Sequence, residues 1–95
     1  MTRAETIKAI KQYFSQYPVK QVGVFGSFAR QEENEKSDID ILVNFKETID
    51  LFTYVNIIQE LSERLGRKVD LVTDKGLYPA LKENILKDLQ IIAEA

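Results

Sequence analysis

Two aspartates, Asp38 and Asp40, stand two residues apart in an apolar run, Asp-Ile-Asp-Ile-Leu-Val, that reads as a strand. Side chains alternate along a strand, so both carboxylates leave one face while Ile39, Ile41 and Val43 leave the other. One face is core and the other is chemistry. Carboxylates about 5 Å apart repel by roughly 3 kcal/mol at an effective dielectric of about 20. Keeping both suggests a divalent cation between them, and oxygen-only ligands favour magnesium or manganese, with water and a substrate phosphate completing the shell. A third acid, Asp70, is set into a second short apolar run, Arg67-Lys68-Val69-Asp70-Leu71-Val72. If that strand lies beside the first, Asp70 completes a carboxylate triangle suited to two-metal displacement at phosphorus.

Upstream, the apolar residues Val22 to Phe25 run directly into Gly26-Ser27 and a helical turn. The first backbone N–H groups of such a turn have no intrahelical partner and point outward with the positive end of the peptide dipoles. That is an anion site, most naturally for phosphate. Phe28 and Ala29 hold the short helix to the sheet, and Arg30 follows one turn in. Its guanidinium either lies over a triphosphate or pairs with an acid of the next loop, Glu33 or Glu35.

Gly26-Ser27, ten residues, then Asp38-Ile39-Asp40 resembles the signature of the DNA polymerase beta-like nucleotidyltransferase superfamily, with Asp70 in the place of its third carboxylate. Arg30, in Gly-Ser-Phe-Ala-Arg, and the very short chain resemble its smallest branch, the MNT-type minimal nucleotidyltransferases that act as antitoxins beside HEPN ribonucleases. The resemblance spans about residues 20 to 90 and departs at Gln31, where many members carry Gly. It implies the α/β (α+β) polymerase beta-like fold, a small mixed sheet of three to four strands with helices mainly on one side. It also implies a metal-dependent adenylyltransferase. Asp38, Asp40 and Asp70 would be catalytic and hold Mg2+ or Mn2+, while Gly26, Ser27 and Arg30 would hold ATP. AMP would pass to a hydroxyl, a tyrosine, of a cognate HEPN toxin.

Composition narrows the chemistry. Ninety-five residues at 44% hydrophobic and 29% charged predict one soluble domain over residues 1–95 with one modest core. With no Cys and no His, a thiol nucleophile, a Cys-ligated zinc and the usual general base are excluded. Catalysis here falls to carboxylates and a metal. A net charge of −2 without a long basic block speaks against standing nucleic-acid binding. Met-Thr-Arg-Ala-Glu lacks a signal-peptide core and no run is long enough to cross a bilayer, so a cytoplasmic location is expected.

The remaining elements have to position these residues. Thr2 and Glu5 form a capping box for a first helix carrying Ile7, Ile10, Phe14 and Tyr17 before Pro18, with Tyr13, Phe14 and Tyr17 expected in the core. A first strand covers Lys20 to Phe25, its Gly23 permitting close approach of a neighbour. After a polar loop, Gln31 to Ser37, the second strand covers Asp38 to Phe45. Thr48 or Asp50 caps a long helix whose buried stripe is expected to be Leu51, Val55, Ile58, Leu61 and Leu65, ending at Gly66. Arg67 to Thr73 is the third strand and Asp74-Lys75-Gly76 a turn. A last helix opening at Leu77-Tyr78-Pro79 buries Leu81, Ile85 and Leu89, and Leu89 to Ile92 favour a fourth, edge strand. Tyr78 and Lys82 are expected to be structural.

Other functions fit the same residues. The chain could neutralise a toxin by masking it, with the acids as spectators, or modify a small aminoglycoside-like molecule, where a homodimer would complete the pocket.

Overall fold

The computed structural model describes residues 1–32, 37–76 and 79–95. In chain order it comprises α1 (Arg3–Phe14), β1 (Val19–Phe25), α2 (Gly26–Ala29), β2 (Ile39–Phe45), α3 (Leu51–Leu65), β3 (Val69–Thr73), a 3-10 turn (Asp74–Gly76), α4 (Pro79–Asp88) and β4 (Gln90–Glu94). The four strands form one mixed sheet in the order β3-β2-β1-β4. β1 runs antiparallel to both β2 and β4, and β3 runs parallel to β2. A parallel pair needs a crossover, which α3 supplies.

Local chemistry explains most boundaries. The Thr2 and Glu5 capping box is present on α1. Asp50 rather than Thr48 caps α3, its carboxylate accepting from the Thr53 N–H at 2.7 Å. The chain of α1 leaves the helix after Phe14, four residues before Pro18, and Tyr17 packs back from the turn onto Tyr13, Phe14 and Phe45.

One face of the sheet is the core. Val22, Val24, Ile39, Ile41, Val43 and Val69 are almost fully buried there. They pack in one cluster with Ile10, Tyr13 and Phe14 of α1 and with Ile57, Leu61 and Leu65 of α3. The expected N-terminal aromatic core is therefore found.

Two expected stripes are displaced. On α3 the buried residues are Ile57, Leu61 and Leu65, with Tyr54 and Ile58 partly covered, while Leu51 and Val55 face outward. Steps of three and four fit both stripes, and only the direction in which α3 crosses the sheet selects between them. On α4 no residue is buried: Leu81 is exposed, and Ile85 and Leu89 are half-covered. That helix touches β1 and α2 but has no layer above it. Leu89 instead fills the space over Gly23, where an added Cβ would meet its Cδ1 at 2.7 Å. The final residues do form the edge strand, paired with β1. Among the described residues no helix is long and apolar enough to cross a membrane.

Candidate active site

The site is built on the sheet face opposite the core. Asp38 lies immediately before β2 and Asp40 within it, and the parallel register sets Asp40 directly beside Asp70 of β3. Neighbouring strands are about 4.8 Å apart, so in-register residues put their side chains out side by side on the same face. The three acids are thus brought to one face at the start of the parallel pair. Arg67 fixes their relative placement: its guanidinium donates to the Ser37 carbonyl at 2.8 and 3.1 Å, and the Ile39 N–H donates to the Lys68 carbonyl at 2.9 Å. These bonds tie the entry of β2 to the entry of β3. Ser37 thereby contributes to the geometry through its backbone.

The glycine-serine turn abuts the acids. Gly26 opens α2 with φ +69, a conformation that disfavours any side chain, and a Cβ there would lie 2.3 Å from Asp40 Oδ2. The backbone of the turn and the Asp40 carboxylate therefore share one crevice. No side chain caps α2, whose N-cap is Phe25. Gln31, where the family resemblance broke, has φ +60. The left-handed bend that a glycine would favour is kept, at the expense of backbone strain.

Electrostatics mark Asp40. Burial first, then the Asp70 carboxylate and the more distant Asp38, push its carboxyl from 3.8 up to about 6. Arg30 draws the carboxyl back down, but its influence is the smallest of these. Lys68 lies beside Asp38, its Nζ 3.7 Å from Oδ2, but the lysine side chain is exposed and the pair is loose. Among the described residues no three acid groups converge into a ready-made metal cage. The crevice is open, with carboxylate oxygens on one side and backbone amides on the other. Such a donor set fits a hard divalent cation that takes only one or two carboxylates and completes its shell with water and phosphate.

Arg30 is engaged elsewhere. It pairs with Glu32 at 3.0 Å and Asp88 at 2.6 Å, tying α2 to the end of α4. Glu33 and Glu35, the acids weighed as its alternative partners, lie outside the described residues, as does Tyr78. Lys82 pairs with Asp74 at 3.9 Å, a structural contact as expected. Two residues that reading the sequence did not single out are Lys68 and Asp88. Lys68 was within reach of that reading, because a residue two before Asp70 shares its face and sits beside Asp38 once the strands pair. Nothing local marks Asp88, 58 residues from its arginine.

A mixed sheet carrying acids beside a glycine-serine turn defines a nucleotidyltransferase fold. The profile of the Polymerase beta, Nucleotidyltransferase family matches residues 8–95, and the chain belongs to that family. It is 49% identical over 74 residues to a candidate protein adenylyltransferase of Methanocaldococcus jannaschii, covering 77% of this chain and 76% of that protein. To the protein adenylyltransferase MntA of Thermococcus cleftensis it is 35% identical over 79 residues, 83% of this chain and 80% of the relative. Among solved structures it resembles one described as a minimal nucleotidyltransferase, with TM-score 0.77 and 36% identity over 93% of this chain and 89% of the other. The same fold occurs in the complex of the tri-AMPylated Shewanella oneidensis HEPN toxin with MNT antitoxin, at TM-score 0.82 and 20% identity, over 99% of this chain and 74% of the matched one.

Proposed function

We propose that this chain is the antitoxin of a HEPN ribonuclease toxin and inactivates it by moving AMP from ATP onto a tyrosine hydroxyl of the toxin. The reading rests on the in-register pair Asp40 and Asp70 with the Gly26 backbone pressed against Asp40. It agrees with the names carried by the relatives, a protein adenylyltransferase among the sequences and an MNT antitoxin bound to its HEPN toxin among the folds.

In this reading Asp38, Asp40 and Asp70 hold Mg2+, or Mn2+, which neutralises triphosphate charge when bound. The Gly26-Ser27 amides receive the β- and γ-phosphates. Arg30 joins them by exchanging Glu32 and Asp88 for phosphate oxygens. The tyrosine oxygen attacks the α-phosphorus, the bond from that phosphorus to the bridging oxygen breaks, and pyrophosphate leaves. Asp70, on the acceptor side, takes the hydroxyl proton. Positioning and charge neutralisation supply most of the rate. ATP as donor places the reaction in the cytoplasm.

The test is co-expression with the HEPN partner. The parent chain should add AMP to the toxin, read by mass, and restore growth. Asp38→Asn with Asp40→Asn should do neither while still folding. A double variant that protects cells as well as the parent would mean that masking, not transfer, neutralises the toxin.

A further inference from the structure

A pocket in the described chain lies apart from Asp38, Asp40 and Asp70. It has a volume of about 310 Å³ and opens at the far end of β2, lined by Val43, Phe45, Ile49, Leu51 and Tyr54, with Thr73 to Lys75 closing its side. Beside it the first turn of α3 projects apolar side chains into solvent: Phe52 is 88% exposed, Leu51 71% and Val55 43%. Isolated exposed apolar residues are ordinary, but a clustered set next to an apolar hollow marks a recognition surface.

We propose that this turn and its pocket are the docking site for the toxin, which meets it with a cationic surface carrying an apolar anchor side chain. The inference rests on the antitoxin reading above and adds where the partner is held. Charge selects the occupant. The pocket is rimmed by Glu47, Asp50 and Asp74 against the single base Lys75 among its lining residues, with Asp74 shared by Lys82. Asp50 is held below the usual carboxylate range by the Thr53 N–H and stays ionised. A second copy packed about a two-fold axis would set this acidic rim against itself. A ribonuclease has to present cationic side chains to its RNA, and that surface complements the rim.

The placement also bears on how the acceptor tyrosine is brought to the acids. Asp38, Asp40 and Asp70 do not line this pocket, so a toxin seated in it is gripped at one place and presents its tyrosine at another. From Asp40 to Asn44, which lines the pocket, is four strand residues, about 13 Å. α4 bridges the same interval, joined to Asp74 at Lys82 and to Arg30 at Asp88. A protein seated on the pocket has to span only this interval to bring a tyrosine to the acids.

Phe52→Ser and Phe52→Leu test this, with binding to the purified HEPN toxin measured by calorimetry and transfer by mass. Phe52→Ser should weaken toxin binding about tenfold or more and raise KM for the toxin equally, leaving kcat and KM for ATP within about twofold; Phe52→Leu should restore most of the affinity. Glu47→Lys should slow association and flatten its salt dependence. Unchanged toxin affinity in Phe52→Ser would overturn the docking site. So would a parent chain that sediments as a dimer which Phe52→Ser dissolves, because the patch would then belong to a second copy. If the parent binds the toxin through Phe52 but transfers nothing, the docking site stands and the transferase reading falls.

Discussion

At the residue scale, Asp40 carries the most information. Its carboxyl titrates near 6 because burial and the neighbouring Asp70 disfavour its charge. Between pH 4 and 6 the folded chain keeps a proton that the unfolded chain has released, so Asp40 contributes stability at the acid end of that window and withdraws it as pH rises. Relative to Asp40→Asn, the metal-free parent should lose urea resistance from pH 4 to 6 and be the less stable of the two at pH 7; a difference independent of pH would refute the assignment. Gln31 offers a second measurement. Its left-handed backbone makes Gln31→Gly stabilising by about 1 kcal/mol, visible as a higher midpoint in urea with an unchanged slope.

At the element scale, α3 does two jobs with two faces. Its Ile57, Leu61 and Leu65 side carries the crossover that lays β3 beside β2, while its Leu51 and Phe52 turn stands outside the core. Leu61→Ala should cost about 3 kcal/mol, as expected for a fully buried leucine, and Leu51→Ala within about 0.5 kcal/mol. Equal costs in chemical denaturation would mean that the stripe read from spacing is the buried one. α2 shows how little an element needs when a neighbour constrains it. Four residues suffice because Phe28 and Ala29 are buried beneath it and Arg30 is clamped to α4 at Asp88.

At the scale of the whole molecule, the acids form an open crevice short of positive charge. Mg2+ and ATP should therefore bind together more strongly than either does by itself. At a hundred times its dissociation constant the nucleotide should add about 2.7 kcal/mol of stability, a rise in Tm of roughly 10–20 °C for a chain of this size. The same nucleotide with a chelator should give a small fraction of that shift. Equal shifts with and without Mg2+ would show that phosphate binding does not pass through the carboxylates.

Read by itself, the sequence determined the features that depend on near neighbours. Strand alternation put Asp38 and Asp40 on one face with Ile39, Ile41 and Val43 behind them, and short-range capping chemistry set the start of α1. The Gly26-Ser27 turn was legible because a glycine between a strand and a helix has few other uses. The tertiary structure decided whatever depends on which surfaces meet. Strand pairing set Asp70 beside Asp40, and α4 carried Asp88 to Arg30 in addition to the nearby Glu32. The crossing of α3 chose Ile57 over Leu51 for the core. Periodicity reports how a side chain points from its own backbone; register and packing depend on what the rest of the chain has left uncovered.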